Sequence, residues 1–155
     1  MTEQVSHPLT LVMNIKSPAD AQQLKELLDG FENMPEGKSP INVALTKIGT
    51  VHFARFVFLS ELQLAVITSY DGEFARYIQD FTNEIGDIFN TLLSHMADAP
   101  PLPVQNNLKE FMLYVQNNDR SYVNGELQPL YSAYPSLTVA DILSNAEKSA
   151  LQKAG

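Results

Sequence analysis

A chain of 155 residues, 45% of them hydrophobic, has the length of one domain and can bury a core without covalent staples. Its 18 acidic residues against 10 basic ones leave a net charge of -8, which repels nucleic acid and anionic lipid, and the absence of cysteine excludes disulfides, thiolate metal sites and cysteine nucleophiles. No apolar run reaches the ~20 residues of a membrane span, and the start Met1-Thr2-Glu3-Gln4 lacks the basic end of a signal peptide, so a cytoplasmic protein with neither membrane nor nucleic acid as partner is expected.

Leu9 to Ile15 is apolar and β-prone for one strand's length, and Lys16-Ser17-Pro18 breaks it. Ser17 is placed as an N-cap, with Pro18 in the first helical turn. Ala21, Leu24, Leu27, Leu28 and Phe31 then recur at helical spacing, which predicts a helix ending near Gly30. Ser39-Pro40 opens a second, short helix with Ile41, Ala44, Leu45 and Ile48 on one face, stopped by Gly49. Val51 to Leu59 and Leu62 to Ser69 are dense in β-branched and aromatic residues and are joined through Ser60-Glu61, so they predict a hairpin. Both strands are apolar at odd and even positions, and both faces of their sheet should therefore be covered.

From Tyr70-Asp71-Gly72 the period changes. Phe74, Tyr77, Ile78, Phe81, Ile85, Ile88, Phe89, Leu92 and Met96 share one face of a long helix, with Asp71 placed to cap it and Gly86 a weak point within it. A proline-rich connector follows at 97–103, then a short helix around Leu108, Phe111, Met112 and Val115, and turn signals at 116–120 and Asn124-Gly125. Leu130 to Tyr134 reads as a last strand closed by Pro135, and Thr138 as the cap of a terminal helix.

The order strand, helix, strand, strand, helix, strand predicts an α+β fold of the ferredoxin-like split βαβ type, two helices on a four-stranded antiparallel sheet, with extra helices inserted and at the C-terminus. A single domain over residues 1–155 is expected, its core at about 8–96 and its C-terminal strand and helices at about 105–153. An apolar open sheet face would be buried by a second copy or by the C-terminal helices, and a homodimer is the expected assembly.

Val51-His52-Phe53-Ala54-Arg55-Phe56, with Tyr70-Asp71-Gly72, Tyr77 and Asp80-Phe81, resembles a group of small ferredoxin-like proteins carrying a HFAR, YDG and Y..DF pattern. The resemblance spans about a quarter of the chain and implies a fold, not a reaction. A wider likeness is to dimeric α/β barrel proteins, which include dye-decolourising haem peroxidases and cofactor-free monooxygenases. Ser69-Tyr70-Asp71-Gly72 is similar to the peroxidases' GxxDG motif except that Thr68 stands at its first glycine, and this likeness implies haem as a cofactor.

Five residues are candidates for ligand binding: His52, Arg55, Tyr70, Asp71 and His95. Strand alternation puts His52 on one face with Ala54, Phe56 and Phe58 and Arg55 on the other with Val51, Phe53 and Val57, unless a bulge intervenes. A guanidinium buried in so apolar a strand needs a partner, either Asp71 or Asp80 or a small anionic ligand. His52 reads as a hydrogen-bonded core histidine or a ligand, Tyr70 as packing or a ligand-orienting hydroxyl, and Asp71 as a helix cap. His95, late in the long helix, complements its dipole. Three histidines without HxH or HxxxH spacing give no metal signature, and no GxGxxG, P-loop, GxSxG or EF-hand loop occurs. Two functions fit these residues: a non-catalytic binding or self-assembly module, and a small-molecule or haem-dependent oxidoreductase of the dimeric barrel type.

Overall fold

The structure, a computed structural model, describes residues 4–154, so Met1–Glu3 of the chain start considered above lie outside it. Three antiparallel strands, β1 (Ser6–Asn14), β2 (Val51–Ser60) and β3 (Gln63–Asp71), form a sheet of order β1-β3-β2. Register fixes which side chains share a face: Leu9, Leu11 and Met13 lie opposite Thr68, Val66 and Leu64, which in turn lie opposite Ala54, Phe56 and Phe58. This face carries the core. The other face presents Pro8, Thr10 and Val12, then Ser69, Ile67 and Ala65, then Phe53, Arg55 and Val57.

Helices cover the core face. Helix α1 (Pro18–Glu32) is capped as its sequence predicts, the Asp20 amide donating to Ser17 Oγ at 3.2 Å, and it runs through Gly30 to a cap at Asn33. Helix α2 (Pro40–Ile48) ends where Gly49 takes the left-handed conformation, φ 73°, that a side chain would disfavour. Helix α3 (Phe74–Leu93) buries Tyr77, Ile78, Phe81, Ile85, Phe89 and Leu92 against the sheet. Full burial of a side chain such as Phe89 contributes about 1.5–3 kcal/mol, so this stripe holds the layers together.

Helix α3 is not an unbroken rod. Ile85 leaves helical geometry at φ -131°, and the neighbouring Gly86 leaves room for the side chain of Gln105, which would meet a Cβ there at 2.6 Å. Gln105 donates to Asp87 Oδ1 and accepts from Asn90 Nδ2, both at 2.9 Å, while Asn90 Oδ1 accepts from the Val104 amide. These bonds pin the 3-10 turn Val104–Asn106 to the second half of α3 and lead into α4 (Leu108–Asn118), which packs Phe111 and Val115 into the core.

The expected four-stranded sheet is not formed. Leu130 to Tyr134, read as the last strand, is irregular, because Pro129 and Pro135 bracket it and the sheet edge it would need is taken. Along β1 that edge is closed by two short segments. The Ala97 amide donates to Asn14 O, the Lys16 amide to His95 O, and the Arg120 amide to Thr10 O. The Thr10 amide donates to Asp119 Oδ1 at 3.0 Å. Asn124-Gly125 forms instead the turn of a separate two-stranded hairpin, β4 (Tyr122–Val123) and β5 (Glu126–Leu127), with φ of 53° and 80° at its two central residues. Helix α5 (Val139–Ala154) is capped reciprocally by Thr138 and Asp141, as expected at its start, but its apolar Leu143 and Leu151 face solvent.

Candidate functional site

Three of the five candidates, His52, Tyr70 and Asp71, lie at one end of the sheet, and a bulge turns His52 toward Asp71. Val51 pairs with Tyr70 and Phe53 with Ser69, so His52 is an extra residue in β2 with no partner opposite. The bulge reverses the side-chain parity expected from strict alternation. Val51 packs toward the core, whereas His52 joins Asp71, a residue of the free face, with His52 Nε2 2.6 Å from Asp71 Oδ1. Both side chains are withdrawn from water, at 4% and 9% exposure. Tyr134 stacks over the imidazole, with ring centroids 5.9 Å apart.

Asp71 does not cap α3, whose N-cap is Glu73 without a side-chain bond. Gly72, at φ 90°, turns the chain between Asp71 and the helix, and the carboxylate serves a different helix: Asp71 Oδ2 accepts from the amide of Val139, the first residue of α5, at 2.7 Å. One carboxylate therefore joins a bulged histidine to the start of the C-terminal helix. The bond from the Val5 amide to Pro135 O fastens the same segment to the sheet end. Chemically the pair is a hydrogen-bonded clamp. Both Asp71 oxygens are committed, and the histidine is roofed by an aromatic ring.

Tyr70 is buried on the core face against Tyr77, with ring centroids 4.1 Å apart. Burial holds its hydroxyl above the ordinary tyrosine range, with Tyr77, Asp119 and Tyr122 adding to the effect. Burial likewise pushes Tyr77 up to about 12, against the opposing effect of its hydrogen bond to Thr68. Tyr70 borders a cleft of about 1130 Å³ that also takes in His7, Asp71, Phe74, Asp119 and Tyr122. Asp119 is buried and does more than make the turn that its sequence suggests. Its Oδ1 accepts from the Thr10 and Ser121 amides and so fastens the segment after α4 to β1.

His95 lies far from this end, just beyond α3. Its Nδ1 is 2.8 Å from Asp20 Oδ1, which ties the end of α3 to the start of α1. Bonds from Ser17 and then His95 hold the Asp20 carboxyl below its ordinary value of 3.8. His52 and His95, paired with different aspartates at opposite ends of the molecule, share no site.

Arg55 departs furthest from expectation. It is exposed on the free face rather than buried, and it makes no ion pair with Asp71, Asp80 or any other of the described residues. It lines a groove of about 520 Å³ floored by Thr10, Ile67 and Ser69 and walled by Phe53, Arg120 and Leu130. Arg120 was not legible as a member of this group. It sits in a turn-forming stretch, and only the closure of β1's edge by residues 119–121 brings it to the sheet.

The outer edge of β2 adds a feature of another kind. β3 occupies one side of this ten-residue strand, and among the described residues no strand pairs with the other. Phe53 is 69% exposed and Leu59 52%, and the strand contains no acid, lysine or proline. Among the described residues no group of three or more His, Asp or Glu side chains is arranged to hold a metal ion, and no helix is long and apolar enough to cross a membrane. No protein-family model, curated protein or solved structure matches this chain.

Proposed function

We propose that the protein is a non-catalytic assembly module that pairs with a second copy of itself through the outer edge of β2. The observation that carries this reading is the contrast between the two sheet edges. The edge of β1 is closed by backbone bonds from residues 97 and 120 and by Asp119, whereas the edge of β2 is long and mostly apolar, with no acid, lysine or proline, Arg55 as its one arginine and its register shifts confined to its two ends. Unpaired strand groups are a template for another strand.

A second copy satisfies that template with one symmetry operation. Antiparallel strands related by a two-fold axis are self-complementary, and residues directly opposite one another must lie on the same face. A register centred on Arg55 would set two guanidinium groups face to face. One centred on Phe56 instead places Arg55 opposite Val57 and Ala54 opposite Phe58, which keeps both faces continuous across a six-stranded sheet. A net charge of -8 per chain opposes close approach elsewhere on the surface, but β2 carries none of the acids responsible.

Sedimentation velocity tests the reading with exposed side chains whose replacement spares the core. The wild-type chain is expected to sediment as a dimer and the Phe53→Asp, Leu59→Lys double variant as a folded monomer. A wild-type monomer, or a variant that remains dimeric, contradicts it.

An oxidoreductase of the dimeric barrel type, the other expectation, draws less support from the geometry. A haem-ligating histidine needs an open side for the macrocycle, and the His52 ring is stacked by Tyr134. Neither His52 nor His95 lines the large cleft.

A further inference from the structure

We propose that the groove beside Arg55 is a binding site for a small organic anion, a carboxylate carried on an apolar body. The chain has three arginines. Arg76 lies near Asp80, its partner one helical turn along, at 3.9 Å. Arg55 and Arg120 both line the groove, and neither forms an ion pair among the described residues. Among the described residues no aspartate or glutamate lines it. In a chain of net charge -8, this is a cationic groove with no counter-charge among its own walls.

Both arginines line this groove, so an anion bound in it is attracted by two positive charges. The planar guanidinium matches the two oxygens of a carboxylate, which makes arginine a better reader of this head group than lysine. The rest of the groove sets the body. Phe53, Ile67 and Leu130 are apolar, Thr10 and Ser69 add hydroxyls at the floor, and the volume of about 520 Å³ lies within the range of small-molecule sites. An acid with a compact aromatic or aliphatic body uses both parts of this lining, whereas a bare inorganic anion uses one.

The site goes beyond the assembly reading and is separable from it, because Arg120 lies outside β2. Two-dimensional amide NMR of the full chain, titrated with phenylacetate, phenylacetamide and inorganic phosphate in turn, tests it. Phenylacetate is expected to give saturable shifts at the amides of Thr10, Ile67, Ser69 and Ser121. The neutral amide and phosphate should bind about tenfold more weakly or less. Arg120→Gln and Arg55→Gln should each weaken phenylacetate binding about tenfold while leaving the spectrum of the core amides in place. Absence of saturable shifts with phenylacetate, an equal response to phenylacetamide or phosphate, or unchanged binding in both variants overturns the proposal. Failure of β2 pairing in the sedimentation experiment leaves these outcomes unaffected.

Discussion

His52 and Asp71 show how one inserted residue redirects chemistry. Without the bulge His52 would face the core beside Ala54, and Asp71 would have no side-chain partner in β2. With it, the two meet at 2.6 Å on the free face. The residue types were legible as candidates, but their pairing was not, because a bulge is a property of the register between two strands and leaves no local signature in either. Arg55 illustrates the converse. An arginine among Phe53, Phe56 and Phe58 reads as buried, yet β2 is an edge strand whose free face is only partly covered, so the guanidinium reaches solvent without a partner. Asp20 carries a pH dependence of definite sign. Its carboxyl is held below 3.8 by Ser17 and His95, so the native chain binds fewer protons there than the unfolded chain. The stabilisation is present above that ordinary value and is lost as pH falls through the lower folded value. Urea midpoints measured from pH 5 downward should therefore fall less steeply in Asp20→Asn than in the wild type. Parallel slopes would contradict this assignment.

Among the elements, those with strong periodicity were the most legible. Helices α1 to α4, the β2–β3 hairpin and the start of α5 follow from apolar spacing, caps and breakers within a few residues of the sequence reading. The misreadings lie where tertiary partners decide. Leu130 to Tyr134 has strand-like composition, but residues 119–121 reach the edge of β1 first, and the flanking prolines remove backbone donors. Helix α5 has an amphipathic pattern, yet Leu143 and Leu151 lie in solvent while Val139 and Ile142 near its start are half-buried, and it is held chiefly at its start. Val139 donates to Asp71, and the segment before it is fixed by Pro135 and Tyr134. Asp71→Ala removes the charged acceptor and the histidine's partner together. Hydrogen bonds to a charged group contribute about 1.5–3 kcal/mol, so exchange of the Val139 amide should accelerate by one to two orders of magnitude while core amides such as those of Val66 and Phe89 keep their protection. Equal acceleration throughout would mean that the clamp supports the whole fold rather than the attachment of α5.

At the scale of the molecule the layers are unequal. One face of the sheet is packed beneath α1, α3 and α4, and the other is a partly open surface with two cations and a large exposed phenylalanine. One edge is sealed and one is free. The α+β class was readable from composition and pattern, whereas the number of strands and the identity of the free edge were not, since both depend on where the C-terminal third folds back. The pairing of two β2 edges makes the most direct claim about this surface, and hydrogen exchange of the β2 amides at low and high protein concentration tests it. Amides on the outer side of Phe53 to Phe58 should gain protection as concentration rises, while those bonded to β3 stay protected at both. Rapid exchange of the outer amides at every concentration would contradict the pairing.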